Sequence, residues 1–368
     1  MSATELLRSD VAEILERTLE GARLMDEDAV SLLRSRELIA VGRAANEIRD
    51  RKNDPSRVTF VVDRNVNYSN ICSVGCEFCA FYRPPGDLRE GYLLPKPILF
   101  KKVEETLALG GTGVLMQGGH HPDLDIAYYE DVFRSIKERY SIHLHALSPS
   151  EVLHISRRSK LSLAQTLTRL RAAGLDSIPG GGAEILVDRV RRIVSPKKAK
   201  TDEWLGVMRE AQRLGISTTA TMMYGHVETL DERVEHMHRI RELQDETGGF
   251  RAFISWTFQR DGNRLQKTVA EETRPTPFDY LLTQAVSRLY LDNVPHIQAS
   301  WLTQGLKIGQ LALAFGADDI GSVMIEENVV ASAGTHYTTS TEELVHLIRA
   351  LGKTPVQRDT YYRELRVF

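Results

Sequence analysis

The chain has 368 residues, 42% hydrophobic and 26% charged, the make-up of a globular protein with enough apolar material for a sizeable core. A formal net charge of -3 gives no positive field for a polyanion, which excludes nucleic acid as the expected partner and leaves small molecules as the expected ligands. No run approaches the roughly 20 apolar residues a bilayer span needs, the Met1-Ser-Ala-Thr-Glu start lacks a signal-peptide pattern, and the three cysteines lie close together. The expectation is therefore a cytoplasmic protein in a reducing compartment, with no membrane partner and no disulfide framework.

Residues 1–54 are read as an N-terminal helical extension, with helical stretches at 12–19 and 29–48 and no catalytic spacing. Beyond residue 55 short apolar runs alternate with amphipathic segments, the signature of strand–helix units around a parallel sheet. Strands are expected at 58–63, 113–117, 142–147, 175–179, 216–223, 250–258, 296–301 and 320–325. Leu99, Val103 and Leu107 share a helix face that Gly110-Gly111 terminates, Thr229 and Glu232 form a capping box, and Thr276-Pro277 opens a further helix. Repeated units over 55–333 fit the α/β class, as a (β/α) TIM-type barrel, full or nearly full. A helix at 340–351 and a tail make 334–368 a closing segment of the same domain.

In such a barrel the active site lies at the C-terminal ends of the strands, where the unusual residues fall. The cysteine loop follows the first strand, Gln117-Gly118-Gly119-His120-His121 the second and Ser148 the third. Gly180-Gly181-Gly182-Ala183-Glu184 follows the fourth, Tyr224-Gly225-His226 the fifth and Gln259 the sixth.

Cys72-x-x-x-Cys76-x-x-Cys79 places three thiolates on one loop, and the chain has no fourth cysteine. Structural zinc and ferredoxin-type clusters take four protein ligands, so one coordination position stays open. An open 4Fe-4S cluster fits that count, because its fourth iron can be chelated by an amino acid such as the methionyl end of S-adenosyl-L-methionine. A zinc site of three cysteines and one histidine, and chance clustering, are the competing readings. His143-x-His145 on one strand face also leaves open a metal-dependent barrel hydrolase.

The cysteine spacing, with Phe78 before the third cysteine, resembles the radical S-adenosylmethionine superfamily. The resemblance implies that Cys72, Cys76 and Cys79 hold the 4Fe-4S cluster. It also implies that Phe78, Gln117, Gly118, Gly119, Ser148 and Glu184 bind S-adenosyl-L-methionine. It extends through Val61-Val-Asp-Arg-Asn-Val-Asn-Tyr-Ser-Asn-Ile-Cys72, Leu175-Asp-Ser-Ile-Pro-Gly-Gly-Gly-Ala-Glu-Ile185 and Ile297-Gln-Ala-Ser-Trp-Leu-Thr-Gln-Gly-Leu-Lys307. These segments are most similar to the cyclic dehypoxanthinyl futalosine synthase family of menaquinone biosynthesis, with aminofutalosine synthase and a deazaflavin synthase half as sibling possibilities.

That likeness implies dehypoxanthinyl futalosine as substrate and a reduced flavodoxin- or ferredoxin-type electron donor. The implied reaction is hydrogen abstraction from the sugar followed by radical cyclisation onto the benzoate ring. His120, Glu184 and His226 are the candidate catalytic residues, with His121 and Glu228 as further polar candidates and Arg64 and Arg260 as cations for a carboxylate. One departure is Arg260-Asp261-Gly262-Asn263-Arg264, where the family has a Pro-Gly-Asn-Thr-like turn.

Overall fold

The first barrel strand does more than its sequence suggests. A computed structural model describes residues 11–368, so the Met1-Ser-Ala-Thr-Glu start lies outside the described residues. The expected strand at 58–63 is two pieces, β1 (Arg57–Val61) and β2 (Asp63–Val66), separated by Val62. The sheet continues through β3 (Gly113–Met116), β4 (His143–Ala146), β5 (Ser177–Ile178), β6 (Ser217–Tyr224), β7 (Phe250–Thr257), β8 (His296–Gln298) and β9 (Asp319–Ser322), each parallel to the next. β2 pairs with β3 and β1 pairs with β9, so one bent run meets both ends of the ladder and closes the barrel. A register shift between Thr59 and Val61 supplies the bend.

The helices follow their end signals. Thr229 Oγ1 accepts the Glu232 amide and the Glu232 carboxylate accepts the Thr229 amide, starting Leu230–Thr247. Thr276 and Asp279 do the same for Pro277–Tyr290. The stretch expected at 29–48 is two helices, Asp26–Arg34 and Leu38–Lys52. Ser35 leaves the first in an extended conformation, and its hydroxyl accepts the Glu37 amide at 3.0 Å, which favours a turn over a continuous helix. These two helices pack against Leu230–Thr247 and Pro277–Tyr290, outside the strands.

Beyond the anticipated C-terminal helix, Thr341–Ala350, lie two strands that the sequence reading did not contain. β10 (Thr354–Arg358) runs parallel to β1, and β11 (Glu364–Val367) turns back antiparallel to β10. Arg358 is buried, donates to both carboxylate oxygens of Asp319 and stacks 3.7 Å from the Tyr362 ring centroid, so the tail forms part of the barrel floor. Above that floor the interior is hollow. Inward side chains such as His145, Thr219, Trp256 and Gln298 line a chamber instead of filling the barrel.

Candidate active site

Cys72, Cys76 and Cys79 all line a cavity at the C-terminal mouth, with Phe78 beside them. Several distant segments fix the loop. The Cys72 amide donates to Arg83 O at 2.9 Å, the Glu77 amide to Val194 O at 2.9 Å, and Arg264 reaches Gly75 O and Glu77. The 260–264 loop that departs from the family pattern therefore clamps the cysteine loop, while Arg260 itself is spent on Val269 O and Ala270 O.

Burial pushes the Cys76 thiol up to about 12 and raises that of Cys79. Thiolates in such a pocket need cationic partners, which irons would provide. Three ligands of one zinc ion, at bonds near 2.3 Å, would crowd to within about 4 Å of one another. Among the described residues no three His, Cys, Asp or Glu side chains are gathered as a single-ion site. Three thiols on one cavity wall suit a cluster held by three cysteines. The His143-x-His145 pair likewise lacks a third donor, and both rings contact the Ser177 hydroxyl.

Gly118 and Gly119 form the opposite wall, and both must lack a side chain. A Cβ on Gly119 would lie 2.2 Å from Ile71 O and 2.8 Å from the Cys72 Cβ, and one on Gly118 would strike the Tyr68 ring at 2.6 Å. The His120 amide then donates to Cys72 Sγ at 3.3 Å, linking the glycine segment to the cysteine loop.

Glu151, which sequence reasoning missed, ties this wall to the next. Its Oε1 accepts the Gly118 amide at 3.0 Å and the Tyr68 hydroxyl at 2.9 Å, and its Oε2 accepts the Ser148 amide at 2.7 Å. The only sequence signal was Ser148-x-x-Glu151, which reads as a helix start. Ser148 caps Pro149–Ser159 as that pattern requires, and it lines the cavity.

Glu184 lies in the cavity wall with a left-handed φ of 44°, a conformation that costs energy for a residue with a side chain. Its carboxylate accepts from Lys198 Nζ at 3.0 Å and stands 3.5 Å from Arg191. Burial opposes charge on Lys198, but Glu184 and Cys76 more than offset it and hold the ammonium above the ordinary lysine range. Lys198 also stands 5.5 Å over the Phe78 ring. It was missed because Ser195-Pro-Lys-Lys198 carries no periodic or motif cue.

His120 lines the same cavity, and its Nε2 is buried with no hydrogen-bond partner among the described residues. Burial, with His154 and Lys198 nearby, holds this imidazole well below its ordinary pKa, so it is neutral. An unpartnered ring nitrogen beside a cysteine wall, a glycine wall and an aromatic ring fits a polar, adenosine-bearing cofactor.

Other sequence candidates are placed elsewhere. His226 is fully engaged by its own loop: Nε2 contacts Met223 O at 3.0 Å and Nδ1 accepts the Val227 amide at 2.8 Å. It is not among the residues that line the cavity. Glu228 accepts the Gly225 and His226 amides and pairs with Arg233 at 3.0 Å, Arg64 pairs with Glu105 at 2.7 Å, and His121 Nδ1 accepts the Asp123 amide at 3.2 Å.

Gln117, Gly181 and Trp256 line both the cofactor cavity and the chamber below it, so the two spaces share a neck. Gly181 is needed there because a Cβ would sit 2.5 Å from Gln117 Nε2. Below the neck Leu115, Ile254, Trp301 and Met324 make the chamber largely apolar.

Comparisons with known proteins agree with this geometry. Residues 66–240 match the Radical SAM superfamily and residues 247–367 the CofH/MqnC C-terminal region. Cyclic dehypoxanthine futalosine synthase of Halalkalibacterium halodurans is 48% identical over 356 residues, covering 96% of this chain and 95% of that protein. Aminodeoxyfutalosine synthase of Thermus thermophilus is 42% identical over 361 residues, covering 96% of each. The FeFe-hydrogenase maturase HydG of Carboxydothermus hydrogenoformans shares the fold, with a TM-score of 0.76 and 16% identity over 96% of this chain and 81% of that one. The chain belongs to the radical SAM superfamily, whose members use a 4Fe-4S cluster and S-adenosylmethionine, and within it to the family of the cyclic dehypoxanthine futalosine synthases.

Proposed function

We propose that the protein converts dehypoxanthine futalosine to its cyclic form, as a step of menaquinone biosynthesis in the cytoplasm. The carrying observation is the three-cysteine cavity joined through Gln117, Gly181 and Trp256 to a largely apolar chamber. Such a chamber suits an aromatic ring bearing a sugar. When bound, the cluster and S-adenosylmethionine supply a 5'-deoxyadenosyl radical that removes a hydrogen atom from the sugar.

The chain's own residues position and enclose. Cys72, Cys76 and Cys79 hold three irons. Gly118 and Gly119 give backbone room to the methionyl end, and Phe78 offers a face to the adenine. Ser148 and Glu184 serve as hydrogen-bond partners of S-adenosylmethionine, with Glu184 paired to Lys198 and Arg191. The unpartnered His120 Nε2 receives a donor of the cofactor or donates to its carboxylate. Gln117 stands at the neck, where the sugar meets the adenosyl group, and Trp256 helps keep water from the radical.

Glu184 is an unsuitable base, since two cations occupy it, and His226 is a structural residue of the β6 loop. Residues 55–333 form the catalytic barrel, with the helices Ala12–Leu19, Asp26–Arg34 and Leu38–Lys52 as its extension and 334–368 as its closing segment. A reduced flavodoxin- or ferredoxin-type protein delivers the electron.

The test is anaerobic incubation of reduced, iron-loaded protein with S-adenosylmethionine and dehypoxanthine futalosine. Formation of 5'-deoxyadenosine together with the cyclised product is expected. 5'-Deoxyadenosine without cyclised product would leave the superfamily intact and refute the substrate assignment.

A further inference from the structure

We propose that His145 is the general base that accepts the ring proton during cyclisation, and that Ser177 and His143 conduct that proton to the barrel floor. This rests on the substrate reading above and adds the step that reading leaves without a residue.

The geometry begins with strand periodicity. Residues 143 and 145 of β4 share a face, and β5 sets Ser177 directly beside His145 in the sheet register. The Ser177 hydroxyl lies 2.6 Å from His145 Nδ1 and 2.6 Å from His143 Nε2. One hydroxyl has a single proton to give, so it donates to one ring and accepts from the other. With His145 donating through Nδ1, Ser177 donates to His143 Nε2, and the free lone pair of His145 sits on Nε2. That nitrogen has no partner among the described residues, and His145 is part of the chamber wall. His143 lies at the other end of the path, partly exposed, its ring 4.7 Å from that of Tyr361 in the C-terminal tail.

Burial, together with His143 and Arg358, holds His145 down to about 3, and burial holds His143 at about 4. Both rings are therefore neutral at working pH. A neutral imidazole with a free lone pair can accept the ring proton, and the Ser177 and His143 contacts give that proton an outlet.

The step balances as follows. The C–H bond at the newly joined ring carbon breaks, and its proton goes to His145 Nε2. The Nδ1 proton moves to Ser177, the Ser177 proton to His143 Nε2, and the His143 Nδ1 proton to water at the floor. The C–H electron pair stays in the ring, and the surplus electron leaves to a one-electron oxidant of the iron–sulfur class.

Asp63 is the rival base. It also lines the chamber, and burial raises its carboxyl pKa. Its carboxyl accepts from the Ser322 hydroxyl, and its charged neighbours are Arg358 and Asp319, which are already committed to each other.

The experiment compares His145→Gln, His145→Asn, Ser177→Ala, His143→Gln and Asp63→Asn in anaerobic, iron-loaded protein, with iron content and circular dichroism recorded for each. Both His145 variants should bind dehypoxanthine futalosine within about threefold of the parent and still release 5'-deoxyadenosine, while cyclised product forms about 100-fold more slowly. An organic radical should accumulate in the electron paramagnetic resonance spectrum, and ring-deuterated substrate should show a larger isotope effect than in the parent. Ser177→Ala and His143→Gln should lose about tenfold. A ratio of 5'-deoxyadenosine to product within threefold of the parent in both His145 variants overturns the assignment, as does uncoupling that appears in Asp63→Asn alone. A parent enzyme that forms no cyclised product would instead remove the substrate reading, and this inference with it.

Discussion

The mouth of the barrel and the chamber beneath it are built in different ways. The mouth consists of loops whose residues are contiguous in sequence: three cysteines, a glycine pair, and a serine cap with its glutamate. The chamber is built from single inward side chains contributed by distant strands, such as Leu115, His145, Thr219, Trp256 and Gln298. Its floor is completed by Arg358, Thr360 and Tyr362 from the end of the chain. The mouth handles chemistry shared across a superfamily. The chamber draws its side chains from different strands of the barrel.

The largest effect should break the mouth and spare the chamber. Cys72→Ala, Cys76→Ala or Cys79→Ala should each abolish S-adenosylmethionine cleavage and cut iron content from about four per chain to below one, while the circular dichroism spectrum is retained. Full activity in any one variant would end the open-site argument.

The reverse lesion is Arg358→Ala, which leaves Asp319 buried without its guanidinium. Loss of about 3–5 kcal/mol in denaturant unfolding is expected, with the cysteine loop itself unchanged. A stability change under about 1 kcal/mol would mean that the floor is not a sealed element.

Glu151→Ala lies between the two, since it leaves the Gly118 and Ser148 amides without their acceptor. It should lower stability by about 3 kcal/mol and weaken S-adenosylmethionine binding, as read by equilibrium dialysis. Stability loss with unaltered binding would separate the clamp from the cofactor wall.

A further effect is in pH. His145 and His236 are held to about 3, and His143 to about 4, chiefly by burial. A histidine lowered on folding contributes stability that is present above its unfolded value near 6.5 and lost as pH falls toward the folded value. Thermal midpoints should therefore fall between about pH 6.5 and pH 4, with a shallower slope in His145→Gln. An unchanged slope would show that this ring is solvated.

The same contrast explains what could be read in advance. The cysteine spacing, Gly118-Gly119 and Phe78 were legible because the loop chemistry needs them at short fixed intervals, and the Thr229 and Thr276 caps because helix ends are local. Lys198 and Trp256 were not, since each acts through a neighbour far away in sequence. Glu151 was visible only as a cap, because nothing local announces that its carboxylate also serves Gly118 and Tyr68. β10 escaped notice because Thr354–Arg358 is short and partly polar, and it is a strand only because β1 offers it an edge. His226 follows a barrel strand as a catalytic histidine would, and backbone groups of Met223 and Val227 engage both its nitrogens.

The divided strand at residues 57–66 also sets the order of assembly during synthesis. β1 is made before the other strands of this sheet, but its partners, residues 319–322 and 354–358, come far later in the chain. Until then one edge carries unpaired amides and carbonyls and can pair with another chain. The nascent protein must keep that edge covered, and its chamber gains a floor only after residues 358–362 have emerged.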